Sequence, residues 1–295
     1  MKVKPIGLMA LLALALPFLT MPASAQNAPK KFSLILSGGY CTLTGGDMPR
    51  LIDDNNALVR DLATLWGFTV TETFQKSSGG PGFEAEFLFR PAQNFGVSFS
   101  IGYLRKAEDS RGAANLAQLA AISGNLTTAY SLIPFRLSGY YLFSIGPKLT
   151  AYAKAGVGYS FGRMSYTFRT EEMFQGSVVW DQSVGEARDS GLAFHGGLGL
   201  EYSLSPTMAF IAEVAGQYLS LNDWTTENIY SSPLGSEAQT GKIWYAERPN
   251  TSLGRYSASL IVSKLSPADT TMQNVRKAAF GFSGFAFKSG VKISF

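Results

Sequence analysis

The feature that most constrains this chain is a strict two-residue alternation that recurs in blocks of about ten. From Phe95 to Tyr103 the odd positions are Phe95, Val97, Phe99, Ile101 and Tyr103, and the even ones are Gly96, Ser98, Ser100 and Gly102. Successive side chains of a strand point to opposite faces, so this segment has one apolar face and one face of small groups. A sandwich strand also alternates, but its second face is usually charged. Glycine and serine suit a narrow interior.

The same pattern appears in seven more segments. Phe32, Leu34 and Leu36 begin the series, and Phe83, Ala85, Phe87 and Phe89 alternate with Glu84, Glu86, Leu88 and Arg90. Ile133, Phe135, Leu137, Tyr141 and Phe143 alternate with Pro134, Arg136, Ser138, Tyr140 and Leu142. Val157, Tyr159 and Phe161 oppose Lys154, Gly156 and Gly158, while Leu192, Phe194, Leu198 and Leu200 oppose His195, Gly197, Gly199 and Glu201. Met208, Phe210 and Val214 continue the series, and Phe285, Phe287, Val291, Ile293 and Phe295 close it. Eight strands result. A strand of about ten residues rising ~3.3 Å per residue, tilted by ~40°, covers about 25 Å, the height of an outer-membrane apolar band.

The connections fall into two alternating classes. Pro91 to Asn94, Ser144 to Lys148 and Leu204 to Thr207 are tight turns; Cys41 to Pro81, Lys106 to Leu126, Met164 to Ser190 and Leu221 to Arg276 are long linkers. Short turns on one side and long external loops on the other fit an up-and-down barrel. Within the first linker Asp47 is placed to cap a short helix with Leu51, Leu58, Leu62 and Leu65 near one face. Within the last, Lys242 to Arg248 is too short to span a bilayer. It is therefore expected to form an external hairpin with Arg255 to Lys264, so that the barrel has eight strands and not ten.

Residues 1–25 read as a signal peptide: Lys2 and Lys4, an apolar run from Ile6 to Leu19, and the small-residue site Ala23-Ser24-Ala25. Residues 26–295 are then the barrel domain. No later apolar run is long enough for a spanning helix. Charged residues make up only 16%, below the roughly 25% of soluble proteins, so something other than water faces much of the surface. Without Lys2 and Lys4 the chain has 23 bases against 21 acids, which gives no electrostatic footprint for nucleic acid.

Glu84, Glu86, Arg90, Arg136, Lys154, His195, Glu201, Glu213, Lys288 and Lys292 all fall on interior positions by parity. Acids and bases alternate between strands and should pair, because a buried unpaired charge costs several kcal/mol. That arrangement favours a polar plug over an open tube. His195 is the sole histidine and Cys41 the sole cysteine, so neither a zinc cluster nor an internal disulfide is expected, and Cys41 reads as an inert thiol near a strand end. Gly156, Gly158 and Gly162 lack the spacing of a nucleotide-binding loop, and no catalytic constellation surrounds His195. No cofactor is implied.

The chain resembles the small outer-membrane barrel family typified by OmpX, OmpW and the OmpA transmembrane domain. The carrying features are the signal peptide, the segment from Ile133 to Tyr141, Ala155-Gly156-Val157-Gly158-Tyr159, and the terminal Gly290-Val291-Lys292-Ile293-Ser294-Phe295. The resemblance implies an integral outer-membrane protein with Val291, Ile293 and Phe295 as the signal read by the barrel-assembly machinery. It also implies outer-membrane lipid as surroundings and a monomer whose loops meet an extracellular partner. The peptidoglycan-binding domain that many OmpA relatives append is not expected, and the loops are longer than in the smallest members. The leading expectation is a non-enzymatic surface barrel for partner binding or envelope protection. The alternatives are a narrow channel or conduit for small hydrophobic molecules and an outer-membrane enzyme.

Overall fold

The computed structural model describes residues 30–76, 79–116, 120–174, 177–250 and 254–295, so the expected signal peptide lies outside the described residues. In chain order the elements are β1 (Phe32–Thr42), α1 (Met48–Trp66), β2 (Thr69–Glu72), β3 (Gly79–Ala92), β4 (Phe95–Leu116), β5 (Ala120–Ser144), β6 (Leu149–Phe174) and β7 (Ser177–Ser203). There follow β8 (Met208–Tyr218), β9 (Ser220–Leu221), β10 (Thr225–Ser232), β11 (Gly235–Asn250), β12 (Arg255–Ser263), β13 (Gln273–Lys277), β14 (Phe280–Gly281) and β15 (Gly284–Ser294).

Eight antiparallel strands form a ring. β1 pairs with β3, the ladder runs through β4, β5, β6, β7, β8 and β15, and β15 returns to β1 with Leu34 opposite Ile293. The alternation read from the sequence sets the faces. Phe99 and Leu137 point outward and are about half exposed, whereas Ser98, Ser100 and Ser138 are buried inside. Outward Phe99 stands against Phe135 with ring centroids 6.4 Å apart. The three tight turns lie where the sequence places them, all at one end of the ring.

At the other end two of the four expected loops are not loops. Lys106 to Leu126 and Met164 to Ser190 belong mostly to strands that continue without a break: β4 and β5 stay in register from Leu104↔Leu132 to Leu116↔Ala120, and β6 and β7 from the turn end to Phe174↔Ser177. Hydrophobic alternation misses these segments because no continuous apolar outer face runs through them. Outward Arg105, Asp109 and Arg111 alternate with inward Lys106 and Ser110, and beyond the apolar band no lipid demands an oily face.

The last linker is also largely strand. β11 is sixteen residues long, not seven, so the length argument against a ten-stranded ring does not hold. The ring nonetheless has eight strands, because β11 pairs with β10, β12 and β13 and never enters it. β11 and β12 form the expected hairpin, and its Arg255 meets Asp61 of α1 at 3.0 Å on the loop side.

The extended sheet above the ring has β2 at one edge and β12 at the other, and α1 packs against both. Asp54 of α1 accepts a hydrogen bond from the Ala258 amide at 2.9 Å, which covers an edge that would otherwise invite another strand. The helix differs from expectation at its start. Asp47 makes no side-chain cap; its carboxylate faces Arg276 instead. Ile52 and Ala63 are buried, Leu58 is half-buried, and Leu65 is exposed; the side chain of Leu62 lies outside the described ones. Gly67 ends the helix in the left-handed region at φ 74°, where a side chain would be strained.

Candidate functional site

The interior is stacked in layers, each built by strands already fixed by the outer face. Nearest the turns, Ile35, Leu88, Tyr140, Leu142, Tyr152 and Ile211 form an apolar layer. Next to it, separate from the other charges, Lys292 reaches both oxygens of Glu201 at 2.5 Å. Arg90 joins neither group: its guanidinium donates to the Lys30 carbonyl at 3.3 Å and meets no carboxylate among the described residues.

Above this layer six charges converge. Glu84 receives Arg136 at 2.6 Å and Lys288 at 2.8 Å. Lys154 stands between Glu213 at 2.8 Å, Glu86 at 3.2 Å and Glu84 at 3.9 Å. Lys288 Nζ lies 3.1 Å from Glu213 Oε1 as an ion pair without hydrogen-bond alignment. Three carboxylates face three cations, so the cluster is neutral. Neutral donors add to the ion pairs: Ser98 and Tyr140 donate to Glu86 at 2.5 and 2.7 Å, and Tyr152 donates to Glu213 at 3.0 Å. Hydrogen bonds of this kind lower the cost of burying a charged group. His195 shares a hydrogen bond between Nε2 and the Ser138 hydroxyl at 2.8 Å, while Nδ1 is buried without a partner.

A second closure, unexpected from the sequence, lies toward the loops. Leu219, Leu221, Trp224, Phe280 and Phe282 leave the ring wall and pack against inward Leu104, Tyr130, Leu132 and Met164. Trp224 and Phe280 meet edge to face at 5.4 Å. Glycines make room for this apolar plug: a Cβ on Gly162 would stand 2.6 Å from Leu221 and 3.0 Å from Trp224. The plug is tied below by Gln217, which accepts from Arg136 at 2.7 Å and donates to the Phe282 carbonyl at 2.6 Å. It is tied above by Asp47, which accepts from Arg276 at 2.5 and 2.7 Å and from the Ala279 amide at 2.8 Å. That carboxylate raises the Arg276 pKa above its ordinary value. Between plug and charges remains a cavity of about 40 Å³, lined by Cys41, Leu132, Arg136, His195 and Lys288 among others. It has room for a few waters and nothing larger.

Of the sequence-derived residues, Glu84, Glu86, Arg136, Lys154, Glu213 and Lys288 therefore come together, with His195 at their margin. Glu201 and Lys292 form their own pair. Val291 and Ile293 point outward, and the Phe295 amide donates to the Phe32 carbonyl at 2.9 Å across the β1–β15 seam. Among the described residues no group of three or more metal-ligating side chains occurs. The plug residues were missed, although parity carried a signal. Leu219 and Leu221 continue the inward parity of β8, and the aromatic positions change parity between Phe282 and Phe285, where the chain returns to the wall.

A ring of eight antiparallel strands with an apolar exterior and a filled interior is joined by a second observation. A model of the outer membrane protein beta-barrel domain matches residues 11–232, most of the chain. The chain belongs to that family. This outer-membrane barrel is similar to solved structures of Neisserial surface protein A from Neisseria (13% identity, 90% of this chain and 97% of that one, TM-score 0.36). It is similar also to a major outer membrane protein of Thermus thermophilus (12%, 91% and 100%, 0.42) and to the outer membrane protein OprG of Pseudomonas aeruginosa (13%, 90% and 97%, 0.38). No curated protein sequence matches it.

Proposed function

We propose that this outer-membrane barrel is a non-enzymatic surface protein whose working part is the sheet that stands above the membrane band. The observation that carries this reading is the double closure of the interior, by neutral ion pairs and by the apolar plug, which leaves the external sheet as the surface available to a partner. The tip of that sheet is apolar: Phe174 is 64% exposed, Val179 60% and Leu234 99%. Glu171, Glu172, Asp181 and Glu237 surround it against Arg169. An apolar centre with an acidic rim suits a partner that presents basic groups around an apolar patch.

The test uses purified protein in detergent and an immobilised amphipathic peptide rich in lysine and leucine. Binding that falls at least tenfold in Phe174→Ser/Val179→Ser, with the barrel still folded, supports the reading. Binding by the variant equal to that of the unaltered protein counts against it, as does a large steady current in a planar bilayer.

A conduit for small apolar molecules is favoured by one separate observation. The β7–β8 ladder stops at Phe194↔Tyr218 and β10 begins to pair with β7 only at Arg188, so residues 189–193 have no ladder partner on that side. Leu219 and Leu221 stopper this window. Uptake of an apolar dye into vesicles that rises when Leu221→Ala widens it would support the conduit.

A further inference from the structure

The cross-strand register brings together bases that are far apart in sequence. Arg105 lies opposite Ser131, Ser131 opposite Arg163, Arg163 opposite Arg188, Arg188 opposite Thr225, and Thr225 opposite Lys242. These residues form one cross-strand row on the outside of the sheet, oblique to the membrane plane because the strands tilt, and the row itself contains no acid. Lys277 joins it through Asp223, which holds both Lys242 and Lys277. One step lower on the same strands, Tyr103, Ile133 and Phe161 are the last outward side chains of the apolar band. On these three strands the row thus sits two residues, roughly 6 to 7 Å along the strand, beyond the edge of the hydrocarbon, and on β7 Arg188 stands four residues beyond outward Leu192.

The row is one-sided. On the other arc of the ring the corresponding residues, two positions past Tyr40, Phe83, Tyr218 and Phe285, are Thr42, Pro81, Ser220 and Ser283. Nearby acids offset the row only in part. Glu186 takes Arg163 at 2.6 Å and lies 3.9 Å from Arg188, Asp189 accepts from the Ser190 and Asp223 amides, and Arg105 makes no ion pair among the described residues. Glu227 stands opposite Glu186 on the same face, so five bases stand against Glu186, Asp189, Asp223 and Glu227.

We propose that this row is a binding site for the phosphate of an anionic amphiphile in the outer leaflet. The acyl chains would lie along Phe161, Tyr159 and Ile133, and the phosphate would meet the guanidinium groups of Arg105, Arg163 and Arg188. Three observations favour such an occupant: the position at the band edge, the confinement to one arc, and the planar donors that guanidinium offers to phosphate. An acidic protein partner would have no use for the apolar side chains directly beneath the row.

The experiment uses the purified protein in a neutral detergent and a diglucosamine lipid with several acyl chains, in its phosphorylated and enzymatically dephosphorylated forms. Binding is read by native mass spectrometry, and folding by the heat-modifiable gel mobility of the barrel. The phosphorylated lipid should bind at least about tenfold more tightly than the dephosphorylated one. Arg105→Gln/Arg163→Gln/Arg188→Gln should lose that difference, whereas Arg60→Gln/Lys76→Gln, at exposed bases away from the row, should keep it. Equal binding of the two lipids by the unaltered protein would overturn the proposal without any variant. So would retention of the difference in the triple variant, or its loss in the Arg60 and Lys76 variant.

Discussion

Lys154→Met tests the charge cluster most directly, because one ammonium serves three carboxylates. Its Nζ lies 2.8 Å from Glu213, 3.2 Å from Glu86 and 3.9 Å from Glu84, and its side chain is 3% exposed, so water does not screen the loss. Methionine fills most of the volume and leaves three acids against Arg136 and Lys288. Glu86 suffers most, since its remaining partners, Ser98 and Tyr140, are neutral donors. Breaking a buried pair in this way costs about 3 to 5 kcal/mol. Adding Glu86→Gln restores neutrality and keeps an acceptor for both hydroxyls. The double variant should therefore be more stable than Lys154→Met alone, with a coupling of roughly 1 to 3 kcal/mol in a double-mutant cycle. Urea unfolding in lipid vesicles, followed by tryptophan fluorescence and gel mobility, measures both. A Lys154→Met barrel within about 0.5 kcal/mol of the unaltered one, or strict additivity of the two changes, would refute the reasoning.

Four further outcomes are expected. Phe99→Arg places a charge on the outward face and should cost about 2 to 4 kcal/mol if the site is at mid-height, measured by the same unfolding assay. Gly162→Val should displace Leu221 and Trp224 from the plug, read as a red shift of tryptophan emission, because its Cβ alone would stand 2.6 Å from Leu221. Hydrogen bonds from Lys277 and Lys242 hold the exposed Asp223 carboxyl below its ordinary pKa. The clip is then complete above the unfolded carboxyl value and loosens as pH falls through the lower folded one, so hydrogen exchange around residues 223–225 should quicken there while the ring ladder stays protected. Phe295→Ala should slow assembly in cells more than it lowers stability in vitro, as expected of a recognition signal; equal effects would point to the packing of Phe295 near Phe32.

The ring was legible because lipid and a narrow interior act on every strand at once. Phe99 outward and Ser98 inward could be read from parity alone, since a slip by one residue would expose Glu84, Glu86, Lys154 and Glu213 to hydrocarbon. The external sheet was not legible, because the pressure that writes alternation ends at the band edge. Arg105, Ala107 and Asp109 obey no apolar rule, yet their ladder with β5 continues unchanged. Asp47 was misread for a related reason: a carboxylate before a helix has a local use as a cap, but here Arg276, distant in sequence, uses it.

The candidate site divides in the same way. Parity identified which charges face inward, but it could not say which of them meet, because pairing depends on shear, side-chain length and the cross-strand offsets of the ring. Arg90 and Glu84 lie on one face of one strand, yet Glu84 enters the cluster while Arg90 reaches only a backbone carbonyl near the turns. The basic row outside shows the complementary case. Its members come from five segments between Arg105 and Lys277 with no common motif, and only the register aligns them. A charge on a barrel strand is therefore best interpreted by its height: within the band it must point inward and find a countercharge, whereas just beyond the band it is free to point outward toward the headgroups of the membrane that shaped the strand beneath it.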